Sequence, residues 1–147
     1  YDNPAGANTF RYKIGWNLDT AGIAASWSDT IEISGVGWEG QGAGIAIGNV
    51  DSYNRPEMIL MAYDNPVGAN TFRYKIGWNL NTAGIATGWS TAVQRSGVGW
   101  EGQGAGVALY DLNGDKRPEM VVMAYDNPVG ANTFRYKVLK PNYSFDE

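Results

Sequence analysis

Apolar residues in this chain fall into short stretches that alternate with polar ones, and the stretches are separated by breaks rich in Gly, Pro, Asn and Asp. A period of two over a handful of residues, closed by turn formers, predicts strands. Four recur in order: "GAGVALYD" (104–111) as strand A, "EMVVMAYD" (119–126) as B, "NTFRYKIGWNL" (70–80) as C and "WSTAVQ" (89–94) as D. The breaks read "NGDKRP", "NPVGA", "NTAGIATG" and "SGVGWEGQG". Pro66 and Pro128 fix φ and withhold an N–H, which suits turns. Gly97, Gly99, Gly102, Gly104 and Gly106 are expected at backbone bends. No stretch carries a helical period, so the fold class expected is all-β.

The strands belong to a repeat. "YDNPAGANTFRYKIGWNL" starts at Tyr1, "YDNPVGANTFRYKIGWNL" at Tyr63 and "YDNPVGANTFRYK" at Tyr125, a spacing of 62 residues. Four short strands in every period are the mark of β-propeller blades, with a solenoid as the alternative; a plain sandwich would not repeat in this way. The expected organisation is one propeller segment, 1–139, made of repeats 1–62 and 63–124 and a partial copy 125–139. A tail, 140–147, follows.

Composition narrows the chemistry. Of 147 residues, 44% are hydrophobic and 13% aromatic, enough for a core. The net charge is −4 with no basic stripe, which argues against a nucleic-acid partner. Apolar runs such as "EMILMAY" are too short to insert across a membrane as helices. The chain opens on Tyr1 rather than Met, as a processed chain or a fragment would. Cys and His are both absent, which removes disulfides, Cys/His zinc sites and imidazole-dependent nucleophiles.

The stretch "DLNGDKRPEMVVM" after a small-residue strand resembles the FG-GAP/VCBS family, the integrin-type propeller repeat. The resemblance covers residues 1–139. It implies blades of four antiparallel strands, Ca2+ in the loop joining the first two strands, and a secreted, extracellular setting. Two departures stand out: Lys116 where the family often has Gly, and Glu119 where it often has Asp.

That loop sets Asp111, Asn113, Asp115 and Glu119 at alternate or near-alternate positions, with Gly114 at the bend. Hard cations take six to eight oxygens from such frames, so Ca2+ is expected here, with the Arg117 carbonyl as a further ligand. Lys116 and Arg117 offer the competing reading, neutralisation without an ion. One repeat earlier the same positions read Asn49, Asp51, Tyr53 and Glu57, a poorer donor set with no Ca2+ expected.

The two repeats differ in their A–B loops and D strands but hold "YDNPxGANTFRYKIGWNL" and "SGVGWEGQGAG" identical. In a propeller the B–C and D–A connections share a rim, and the A–B and C–D loops take the other. One ligand site per blade is therefore expected between a DNPxGAN and a GVGWEGQG loop. The candidate residues are Trp38, Glu39, Gln41, Asp64, Asn65, Asn70, Trp100, Glu101, Gln103, Asp126, Asn127 and Asn132. An indole plate flanked by carboxylates and amides suits a sugar, whose C–H face stacks while its hydroxyls are hydrogen-bonded. The alternative is that both Trp are packing residues and the glycines are held for backbone reasons. Trp16, Trp27, Trp78 and Trp89, in or beside strands, are expected to pack. Arg11, Arg73 and Arg135 either bridge to a neighbouring blade or reach the ligand.

The chain holds two repeats and a fraction, against four to eight blades in a ring. A closed homo-oligomer is expected, with chains completing one another's blades; two or three copies satisfy it. The function that follows is a multivalent carbohydrate-binding protein, a lectin binding glycans or glycoproteins, and not an enzyme. A Ca2+-stabilised protein-interaction or adhesion module is the alternative. A carboxylate-based glycoside hydrolase or lyase fits least, because it needs two carboxyls in unlike environments and repeats make equivalent ones.

Overall fold

The computed structural model describes residues 9–36, 40–51, 53–64, 71–98, 104–126 and 133–140. Every regular element among them is a strand, so the chain is all-β. The first part holds β1 (Thr9–Tyr12), β2 (Gly15–Leu18), β3 (Ala24–Trp27) and β4 (Ile31–Ser34). The middle part holds β5 (Gly40–Gly48), β6 (Glu57–Asp64), β7 (Thr71–Trp78), β8 (Gly88–Trp89) and β9 (Val93–Ser96). The last part holds β10 (Gly104–Tyr110), β11 (Glu119–Asp126) and β12 (Thr133–Leu139).

All pairing is antiparallel and between neighbours in sequence or one hairpin apart. The middle sheet runs β5-β6-β7, with β8 and β9 both on the far side of β7. The last sheet is β10-β11-β12, and the first part forms two ribbons, β1-β4 and β2-β3. Strands A, B and C thus appear as expected. Strand D differs: residues 89–94 do not form one strand but the end of β8, a break and the start of β9. The cause is Ser90, whose Oγ accepts from Ile76 N at 2.9 Å while its own N–H donates to Ile76 O. A side chain takes over one rung of the ladder and bulges the strand. Ser28 does the same to Ile14 in the first repeat.

The middle sheet is covered on both faces. One face sets Ile59, Met61, Tyr63, Phe72, Tyr74 and Ile76 against Met120, Val122 and Ala124 of the last sheet. The other sets Met58, Leu60 and Ala62 against Phe10 and Val36 of the first part. Burial on two faces explains why "EMILMAY" is a continuous apolar run and not an alternating one.

β5 and β10 approach closely because β5 carries almost no side chains on that face. A Cβ at Gly42 would lie 2.7 Å from Ala105 N, and one at Gly44 would lie 3.0 Å from both Val107 N and Val107 Cγ1. These glycines therefore serve packing. Gly104 and Gly106 are likewise strand residues of β10, not the bends expected of them. Left-handed backbone falls instead at Gly22, Gly84 and Gly114, and at Asn17, Asn79 and Lys116 among non-glycines.

The last sheet buries only one face. Register places Phe134 and Tyr136 where Phe72 and Tyr74 sit in the middle sheet. Phe72 and Tyr74 are 0% and 6% exposed, Phe134 and Tyr136 66% and 70%.

Candidate functional site

The strand ends define two rims. Asp64 closes β6 opposite Thr71, the first residue of β7; Ser96 closes β9, also opposite Thr71; and Gly40 opens β5 opposite Asp64. The B–C and D–A connections therefore leave from and return to one rim. Gly48 pairs with Glu57 and Gly77 with Trp89, so the A–B and C–D loops belong to the opposite rim.

Most of the expected sugar-binding residues lie outside the described residues: Trp38, Glu39, Asn65, Asn70, Trp100, Glu101, Gln103, Asn127 and Asn132. Asp64 and Asp126 close β6 and β11, and Gln41 is the extra residue where the β5–β6 register shifts between Gly40 and Gly42.

What the structure shows is how that rim is anchored. Val36 is buried in the first interface, and Val98 packs against the second. Val98 N donates to the Tyr63 hydroxyl at 2.9 Å. Burial pushes the Tyr63 hydroxyl pKa up, and the Val98 hydrogen bond opposes that only in part. Arg73 donates from Nη1 to Val36 O at 3.4 Å, and from Nε and Nη2 to Gln94 Oε1 at 2.9 and 2.6 Å. Arg11 pairs with Glu32 of the adjacent strand at 2.9 Å. These two arginines thus hold their own sheet, and Arg73 also holds the start of the GVGW connection. Sequence reading missed Val36, Val98 and Tyr63; the signal available was the Val that both repeats place between the glycines of "SGVGW". Thr9 and Thr71, at equivalent rim positions, have buried hydroxyls with no partner among the described residues.

Of the strand tryptophans, Trp89 packs into the first interface and Trp78 against the second. Trp27 instead lies largely exposed, across Gly15.

On the opposite rim the 111–119 loop is described in full. Asp111 accepts from three of the loop's own amides: Gly114 N (2.7 Å) and Asp115 N (3.1 Å) on Oδ1, and Lys116 N (2.8 Å) on Oδ2. Asp115 Oδ1 accepts from Arg117 N at 2.8 Å. Glu119 is buried; its Oε2 accepts from Leu112 N and its Oε1 from Asn113 Nδ2, both at 2.8 Å. Asn113 Nδ2 also reaches Asp115 Oδ2 at 3.1 Å. An amide donor thus sits between two carboxylates, at the point where positive charge is most favoured. Among the described residues no three acidic side chains gather closely enough to form a cage. Asp115, Glu119 and Asn113 converge, while Asp111 is turned onto the loop backbone. The donors fit a hard cation in type, all of them oxygens once the Asn113 amide is turned.

The equivalent 49–57 loop inverts this polarity. Asn49 donates through Nδ2 to the Tyr53 carbonyl. Glu57 accepts from Val50 N at 2.8 Å through Oε2, but its buried Oε1 has no partner among the described residues. Burial pushes the Glu57 pKa up, and the nearby Asp51 charge adds to the rise against the hydrogen bonds that lower it.

No protein-family model, curated protein or solved structure matches the chain.

Proposed function

We propose that this chain is a multivalent carbohydrate-binding protein of the integrin-like propeller type. Its equivalent sites lie between sheets, at the rim of the DNPxGAN and GVGWEGQG connections. The observation that carries the reading is the strand register, which returns the ends of both invariant connections to one rim and leaves the variable A–B loop on the other. Two copies of one site, each weak, gain avidity from a shared scaffold. Trp38 and Trp100 supply the stacking plate in this reading, with Glu39, Gln41, Glu101 and Gln103 and the Asp–Asn pairs at 64–65 and 126–127 as hydrogen-bonding groups. Asn70 and Asn132 complete the sites. The setting proposed is extracellular, and further copies of the chain complete the ring.

Ca2+ is proposed as a structural ion in the 111–119 loop, held by Asp111, Asn113, Asp115, the Arg117 carbonyl and Glu119. When bound it would neutralise the loop's carboxylates and stiffen the turn. It would lie on the rim away from the sugar.

A glycan array read with and without chelator tests the reading. Sugar binding that survives chelation and disappears in Trp38→Ala, Trp100→Ala supports it. Absence of binding to any glycan sinks it and favours the protein-interaction reading, for which the exposed aromatic face of the last sheet speaks.

A further inference from the structure

Within the molecule, residues at the end of β1 seat themselves on the C–D turn of the next repeat. The Tyr12 hydroxyl donates to Gly84 O at 3.0 Å. A Cβ at Gly84 would lie 2.6 Å from Ile14 Cγ1, so Ile14 covers the turn only because a glycine is there. Burial in this contact pushes the Tyr12 pKa up. The turn stands on a small apolar platform. Leu80 is buried in one cluster with Phe10, and Trp89 packs against that cluster. Trp89 lies across Gly77, whose missing side chain makes room for the ring.

The repeat copies each half of this contact at an opposite end of the chain. Phe10, Tyr12 and Ile14 recur as Phe134, Tyr136 and Val138, and all three copies are exposed, Val138 at 49%. Leu80, Gly84 and Trp89 recur as Leu18, Gly22 and Trp27. The copied turn is already formed. Asp19 Oδ1 accepts from Ala21 N at 2.9 Å and Ile23 N at 2.8 Å, as Asn81 Oδ1 does from Ala83 N at 2.9 Å and Ile85 N at 3.0 Å. Gly22 has a φ of 79° and Gly84 one of 74°. Trp27 crosses Gly15 as Trp89 crosses Gly77. Yet Leu18 and Trp27 are 63% and 64% exposed, against 6% for Leu80. Among the described residues, a Cβ at Gly22 would meet nothing within 4 Å. Knobs and platform are both built, and in a single copy they do not meet.

We propose that a second copy of this chain docks head to tail, with the open face of β12 from one copy seated on the β2–β3 ribbon of the next. Tyr136 donates to Gly22 O, Val138 rests on Gly22, and Phe134 covers Leu18 beside Trp27. The occupant is a second copy because the chain displays the same fit once within itself: the same hydroxyl, the same turn carbonyl and the same glycine. The contact is made by side-chain faces, and no strand is added to a sheet. Its side chains are apolar or phenolic, so its strength comes from burial and resists salt. It joins two unlike surfaces, so it repeats from copy to copy instead of pairing copies off. It names the surface through which further copies join the arc proposed above, and it does not depend on sugar binding.

The test uses the full chain. Tyr136→Ser with Val138→Asp removes the knobs, Leu18→Asp charges the platform, and Tyr53→Asp, at an exposed site on the 49–57 loop, is the control. Sedimentation velocity is expected to show wild type and control heavier than the 15.9 kDa chain and the other two variants at chain mass. Mixing those two is expected to give a 1:1 dimer and nothing larger, since one good surface of each kind remains. Tyr136→Phe, which keeps the ring and loses the donor, should weaken association by roughly three- to tenfold. Thermal melts within a few degrees of wild type show that the variants fold. Hydroxyl-radical footprinting of wild type needs no variant: Trp27 should be protected in the assembly and reactive at chain mass. A wild type at chain mass up to millimolar concentration overturns the proposal. So does a Leu18→Asp chain that still assembles, which would mean that the last sheet packs on another surface. A mixture that stays monomeric, or a Trp27 that stays reactive in the assembly, overturns it too. Glycan binding by the monomeric variants is read separately, so loss of assembly with retained sugar binding leaves the lectin reading standing, and assembly without sugar binding leaves this inference standing.

Discussion

The middle and last sheets carry nearly the same apolar residues in the same register, yet one is covered on both faces and the other on one. Phe72, Tyr74 and Met61 are core; Phe134, Tyr136 and Met123 face solvent. Identity therefore does not fix a side chain's contribution here; the neighbouring sheet does. The A–B loops make a complementary contrast, since the middle sheet's loop has lost donors that the last sheet's loop keeps.

The largest effect should come from the aromatic pair. Phe72→Ala is expected to cost about 3–5 kcal/mol of stability by loss of contacts and a residual cavity. Phe134→Ala should cost below about 1 kcal/mol in dilute solution. Urea denaturation of both variants checks it, and equal losses would mean that the last sheet is covered in solution.

Next comes the ion. Calcium at a hundred times its dissociation constant should stabilise wild type by about 2.7 kcal/mol. Asp115→Ala should abolish that gain, while Asp51→Ala in the middle loop should leave it intact. Melting curves with and without calcium decide between an ion-binding loop and a self-satisfied turn.

Glycine replacement should act on a smaller scale. Gly42→Ala forces a Cβ against the Ala105 backbone and is expected to cost about 1–3 kcal/mol. Gly104→Ala, in open space in a single copy, should be neutral or stabilising by about 0.5 kcal/mol in dilute solution. Reversal of that order would put the close β5–β10 approach in doubt.

The smallest effect concerns pH. Glu57 has a folded pKa above its ordinary value of 4.5, so the folded chain holds a proton that the unfolded chain releases. Stability from this group is fullest below pH 4.5 and falls as pH rises through the folded value. Glu57→Gln should remove that fall, so the variant gains on wild type as pH rises above 4.5. Chemical denaturation at several pH values reads it.

Strands A, B and C were legible because alternation and turn residues mark their ends. Strand D was not, because one hydroxyl, on Ser90, takes a backbone rung, and period-two reading assumes an unbroken ladder. Gly104 and Gly106 were misread as bends because sequence cannot separate a glycine needed for φ from one needed for closeness. The Lys116 departure does have a physical meaning. Its φ of 68° lies in the region that favours the Gly seen there in the resembled family. At the candidate site, the shared rim of the two invariant connections was legible from strand order. Their anchoring through Val36, Val98 and Tyr63 was not, since those contacts join residues far apart in sequence. The exposure of the last sheet was equally hidden, because it depends on what lies beyond the repeat.

The near-contact of β5 with β10 has a geometric consequence. Two layers that almost touch along their glycine strands, but are held apart by Phe72 and Tyr74 farther out, make a wedge. Stacked wedges of one taper turn steadily about an axis on their thin side. If such wedges close into the proposed ring, the number needed is set by the difference in thickness between glycine and aromatic, so a few methylenes at these positions would change its symmetry.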